Sequence, residues 1–186
     1  SVFQNHKLRL AVKAIIFAAL LAALKAGDFG FWPIILFFVG TIVIYATPLF
    51  RTFELAAILA VLFADAFLIF STFSSNSYIW LFAAYFAGLF YIMLGIKELA
   101  FVNRASWQRV LALGLAYPML LMFFYYNQAG TLLRLGAVFI GFLILTEDAL
   151  ARRLPGWLIS LLSLEIAWSA SLLPIGFVSQ AGLATL

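Results

Sequence analysis

Seven apolar segments fill most of the chain, at roughly residues 9–26, 31–48, 54–73, 78–96, 108–126, 131–147 and 157–173, and basic residues stand at alternate ends of them. No other feature constrains the fold as tightly. A hydrocarbon core about 30 Å thick is crossed by about 20 helical residues, so each segment is at or near spanning length. With the N-terminus in the cytoplasm, one side of the membrane collects Lys7, Arg9, Lys13, Arg51, Lys97, Arg104, Arg109, Arg152 and Arg153, nine of the eleven Lys and Arg residues. The other side has Lys25, with Arg134 just inside the membrane. That is the positive-inside pattern. It predicts an all-α, polytopic transmembrane bundle of about seven spans, N-terminus in and C-terminus out, and points to the inner (plasma) membrane of a bacterium or archaeon.

Composition agrees. The chain is 67% hydrophobic and 10% charged over 186 residues, more apolar surface than a soluble domain of that size can hide. The expectation is a single transmembrane helical domain over 1–186. No predicted loop exceeds about a dozen residues, too short for an extramembrane module. The net charge of +4 reads as anchoring to anionic lipid, with no nucleic-acid partner. With no Cys, disulfides, thiolate metal sites and a Cys nucleophile are excluded. Segment 9–26 resembles a signal peptide in its basic flank, but it lacks a small-x-small cleavage site before Asp28 and six further spans follow. It reads as a retained helix.

Aromatic residues test the orientation independently. Trp32 and Trp80 begin segments at the outer surface, and Trp107 and Trp157 begin segments at the inner one. Tyr78, Tyr125 and Tyr126 also fall at outer ends, where amphipathic rings favour the headgroup level. The inner loop 97–107 reads as an interfacial turn lying on the leaflet. Pro118, after Tyr117, falls inside the fifth segment and predicts a kink. The stretch 175–186 is apolar but too short to span.

Small residues predict packing seams, because they let helix backbones approach in lipid. They are Ala56, Ala60 and Ala64; Ala84, Gly88 and Gly95; and Ser160, Ser163, Ala167 and Ala170. The candidate site is a set of intramembrane charges, Asp65, Glu165 and Arg134. An ionised group at mid-membrane costs about 2.5–3.5 kcal/mol on insertion scales, so such groups face protein, pair or lose their charge. At 100° per residue, Glu54, Asp65 and Thr72 lie within about 20° of one line. Glu165 projects near Ser169 and Trp168, opposite the Ser160 seam, which predicts the last helix near the bundle centre. Arg134 is expected to compensate Asp65 or Glu165 and leave the other acid to take up a proton or cation.

Several chemistries are absent. The one His, His6, lies outside the spans, and there is no G-x-S-x-G, no G-x-x-x-x-G-K and no G-x-G-x-x-G. His clusters for a metal are missing, and the last span has no Lys for a retinal Schiff base. No cofactor, metal or catalytic residue is therefore expected. The function that fits is a non-catalytic structural or assembly subunit of a larger membrane complex, with the lipid bilayer and other membrane subunits, or a second copy, as partners. Two alternatives remain: a small proton- or cation-coupled transporter or channel using Asp65 and Glu165, and an outer-leaflet lipid-modifying enzyme.

Overall fold

A computed structural model describes residues 2–49, 55–73, 79–126, 130–149, 156–171 and 185. Among them are seven helices and no strand: α1 (Val2–Ala26), α2 (Phe31–Ala46), α3 (Ala56–Thr72), α4 (Ile79–Lys97), α5 (Arg104–Tyr125), α6 (Thr131–Ala149) and α7 (Gly156–Ser171). Each overlaps one apolar segment, though α1 begins at Val2 and α5 at Arg104, ahead of their apolar runs. The protein is all-α, as the pattern predicts.

Length separates the helices. α4 and α5 are long and apolar enough to cross a membrane, with mean hydropathies of 2.0 and 1.3. α2, α3 and α7 are apolar but have 16 or 17 residues. At 1.5 Å per residue they reach only about 24–26 Å, short of the usual hydrocarbon thickness. α1 has 25 residues, but Arg9, Lys13 and Lys25 interrupt its apolar run.

The chain divides into two compact units, residues 1–107 and 108–186. In the first, α1 packs on α4, α2 and α3, and α3 packs on α4. The buried stripe of α1 is Leu10, Ala14, Phe17, Leu21 and Leu24, alternating four and three residues apart as one helical face requires. Phe17 stacks on Phe90 of α4 at 4.5 Å and meets Phe37 of α2 at 5.8 Å, and Phe37 meets Phe63 of α3 at 5.6 Å. These rings fill the centre of the unit, and each such pair adds about 0.5–1.5 kcal/mol beyond area burial. α1 and α4 run antiparallel. The Lys25 ammonium near the end of α1 lies 5.4 Å from the Trp80 ring centre at the start of α4. The turn into α2 puts Asp28 and Phe29 at φ of 46° and 56°, and a Cβ at Gly27 would collide with the Pro33 ring.

In the second unit, α6 packs on α7. α5 is the most enclosed helix there, buried at Leu111, Ala112, Leu115, Ala116, Pro118 and from Leu120 to Phe124. It runs through Pro118 without interruption. This replaces the expectation that α7 is central, since α7 exposes Trp157, Leu161, Leu162, Ile166 and Trp168.

Of the three predicted seams, that of α7 is buried at Ser160, Ala167 and Ala170. The α3 seam is not, because Ala56, Ala60 and Ala64 are all exposed. Larger residues, Ile58, Leu62, Ile69 and Phe70 among them, take the buried face of α3. On α4, Ala84 and Gly88 are exposed, and only Gly95 is buried. The Phe101 ring lies so close over Gly95 that any Cβ there would collide with it.

Candidate functional site

One end of the first unit, where α1 begins and α2 and α4 end, holds a cluster of charges. Glu98 is the first residue past α4, and its side chain is 3% exposed. Arg9 Nη2 donates to Glu98 Oε2 at 2.5 Å, and Lys13 Nζ donates to Glu98 Oε1 at 2.7 Å. Arg9 Nη2 also lies 3.1 Å from His6 Nδ1, which is 3.8 Å from the same carboxylate. His6, Arg9 and Lys13 share one face of α1 because they lie three and four residues apart.

Two lysines finish α2. Lys13 Nζ donates to the Thr47 carbonyl as well as to Glu98. Lys97, 1% exposed, donates to the Tyr45 carbonyl and, at 2.9 Å, to the Pro48 carbonyl. Its ammonium lies 4.4 Å from the Tyr45 ring centre. The last carbonyls of a helix lack intrahelical donors and carry partial negative charge, so cations there satisfy both needs. The cluster therefore ties the start of α1, the end of α2 and the end of α4 together. Burial alone would raise the Glu98 carboxyl. Hydrogen bonds from Lys13 and Arg9, with their charges, outweigh it and hold the group below its ordinary value of 4.5.

The intramembrane charges predicted from the sequence are placed as follows. Asp65 is 4% exposed on α3, and its Oδ2 is buried with no hydrogen-bond partner. Arg134 Nη1 donates to the Phe123 carbonyl at 3.2 Å, and its guanidinium lies 5.1 Å from the Phe123 ring centre. That contact joins α6 to α5. Glu165 lies on the exposed face of α7 with Trp168 and Ser169, and among the described residues it is not joined to Arg134. Thr72 is half-buried at the end of α3, while Glu54 lies outside the described residues. Tyr117 is half-buried and Pro118 buried in α5.

Glu98 is the residue that sequence reasoning missed. It sits in a loop and reads as solvated, yet its partners Arg9 and Lys13 are 89 and 85 positions away. One signal was available: Glu98 is the one acid within the basic stretch 97–109, whose predicted membrane side is also that of Arg9 and Lys13. Among the described residues, no three His, Cys, Asp or Glu side chains lie close enough to hold a metal ion. No family model, curated protein or solved structure matches this chain.

Proposed function

We propose that the chain is a polytopic inner-membrane protein, N-terminus in and C-terminus out, serving as a non-catalytic structural or assembly subunit of a larger membrane complex. The observation that carries this reading is how the charged side chains are used. Glu98, Lys13, Lys97 and Arg134 each join one helix to another element through a side-chain or backbone partner. This is the chemistry of a framework.

The surface supports a lipid environment. α2 exposes Phe31, Trp32, Leu36, Val39, Ile42 and Val43, and α1 exposes Leu8, Val12, Ile15 and Ile16. Soluble monomers rarely leave a contiguous apolar patch of more than a few hundred Å², whereas in a bilayer such a surface is solvated by acyl chains. The basic end of the first unit supports the cytoplasmic placement of the N-terminus.

Native mass spectrometry after gentle extraction tests the subunit reading. Stoichiometric protein partners are expected, and a lone monomer or small homo-oligomer overturns it. The lack of Cys permits a clean topology test. Asp28→Cys should react with a membrane-impermeant maleimide added outside intact cells, and Lys7→Cys only after permeabilisation.

Asp65 favours a second reading, proton- or cation-coupled transport. A buried carboxyl with an unpartnered oxygen is what an intramembrane relay uses. Loss of proton flux in liposomes for Asp65→Asn, with the fold intact, would establish it. Unchanged flux would remove it.

A further inference from the structure

We infer that the Glu165 face of α7 is a docking surface for a transmembrane helix of another subunit, one that carries a Lys or Arg near mid-membrane. The inference deepens the subunit reading proposed above and rests on it.

Position is the first argument. Glu165 is the tenth of the sixteen residues of α7. At 1.5 Å per residue it stands about 14 Å from the start of the helix and about 9 Å from its end. In a bilayer that depth is hydrocarbon, not headgroup. Glu165 is exposed, and among the described residues it has no hydrogen-bond or ion-pair partner. An exposed acid facing water is ordinary. Facing acyl chains it is costly, because lipid offers nothing in place of the carboxylate's water. Glu98, Lys13, Lys97 and Arg134 are all used within the chain, and Glu165 is left over.

The surroundings are the second argument. At 100° per residue, Leu161, Leu162, Trp168 and Ser169 lie within about 60° of Glu165. All four are exposed, Leu161, Leu162 and Trp168 by 45–46%. The opposite side of α7 carries Ser160, Ala167 and Ala170, and it is buried. α7 is thus packed on one side and open on the side that holds its acid. The contrast is with α2, whose exposed Leu36, Val39 and Val43 form a wholly apolar face that suits lipid. On α7, Trp168 adds a large anchor of the kind that dominates binding interfaces.

Charge selects the occupant. A basic side chain on the facing helix gives the carboxylate both a counter-charge and donors. Arg134 of this chain is engaged with Phe123 instead. A second copy related by a two-fold axis sets Glu165 against Glu165, because the acid stands at the centre of the face, and so adds a like charge. The cation must come from a different chain.

The test uses the full chain in its native membranes. The photoreactive residue p-benzoylphenylalanine replaces Leu161, one turn before Glu165, or Val39 of α2 as the lipid-facing control, and mass spectrometry identifies each adduct. Position 161 should label a membrane segment of a different protein that contains Lys or Arg, and position 39 should label lipid. Glu165→Lys should cut the adduct at 161 about tenfold, the lower end of the coupling measured for close interfacial charge pairs. Exchanging the partner's basic residue for Glu should restore it. Should Glu165→Lys fail to insert, Glu165→Gln should lower the yield in the same direction. Adducts at 161 with lipid alone, with a second copy of this chain, or with a helix lacking Lys and Arg overturn the inference. So does labelling of the same protein from position 39, or a yield that neither variant changes. Native mass spectrometry separates the two levels of failure. Partners retained by Glu165→Lys reject the α7 face and keep the subunit reading, whereas a natural chain without partners rejects both.

Discussion

Replacing Glu98 by Gln should be among the most damaging single-atom changes in the first unit. Glu98 is almost fully enclosed and accepts two short charge-assisted hydrogen bonds, from Arg9 at 2.5 Å and Lys13 at 2.7 Å. Hydrogen bonds to charged groups contribute about 1.5–3 kcal/mol each. Removing one partner of a buried ion pair costs about 3–5 kcal/mol. Two features reduce that figure here. Gln keeps one oxygen as a neutral acceptor, and Arg9 is half open to solvent, which screens its share. Lys13, only 12% exposed, is the cation left without a counter-charge, and it carries most of the loss. The expected cost is therefore about 2 kcal/mol. For a chain of this length that lowers Tm by about 4–8 °C. Intrinsic Trp fluorescence during a thermal ramp in detergent reads it. Lys13→Gln alone should cost a similar amount, and the double variant should cost less than the sum, because Lys13 and Glu98 act on each other. Additive single losses, or a Tm change below 1 °C for Glu98→Gln, would refute the claim that the pair joins α1 to α4.

The remaining expectations use other parts of the structure. The folded carboxyl of Glu98 titrates below 4.5, so its contribution is complete above that value. As pH falls from 4.5 through the lower folded pKa, the unfolded chain binds the proton first and the contribution is lost. A Tm–pH curve should accordingly fall more steeply below about pH 5 in the natural protein than in Glu98→Gln, and parallel curves would contradict this. Gly95→Ala should displace the Phe101 ring and unstack it from Trp107, shifting Trp emission and destabilising by about 1–3 kcal/mol, the usual effect of overpacking. An unchanged spectrum would mean that the loop is not seated on α4. Ser160→Leu should separate α6 from α7 and cost a similar amount, while Ser169→Leu on the exposed face should be neutral by thermal unfolding. Asp65→Asn keeps the shape while removing a carboxylate oxygen that has no partner, so the Tm should hold or rise. A fall of several degrees would reveal a favourable interaction of the carboxylate.

Where the helices lie was legible, because long apolar runs end at short polar or Gly- and Pro-marked breaks. How each helix faces its neighbours was not. In a soluble helix the solvent side is polar and marks the buried side by contrast. Here both sides are apolar. On α2, the exposed Leu36, Val39 and Val43 differ little in character from the buried Phe37 and Tyr45. Small residues were the substitute signal, and they depend on which face a neighbour takes. Ala167 and Ala170 are buried, while Ala56, Ala60 and Ala64 are exposed because larger side chains of α3 already fill its unit.

The same physics explains why Asp65 was found and Glu98 was missed. An acid inside an apolar run is conspicuous, because its surroundings in sequence are also its surroundings in space. Glu98 lies beside Lys97 in a loop, where sequence offers a solvated surface as the simple explanation. Its burial comes from α1, which brings Arg9 and Lys13 to it across more than eighty positions. The basic residues whose distribution predicts an orientation include those partners, Arg9 and Lys13, and Lys97 beside them. Sequence alone ascribes their charge to lipid attraction. In the folded chain they close α1, α2 and α4 around one carboxylate and the carbonyls at the end of α2, while Lys7, on another face of α1, is exposed. Positive charge at this end therefore has two separable roles. Lys13→Gln should lower stability whatever the lipid, and Lys7→Gln should change lipid preference at nearly constant stability. If both variants instead lose stability and lipid preference in parallel, the division between framework and lipid contact is wrong.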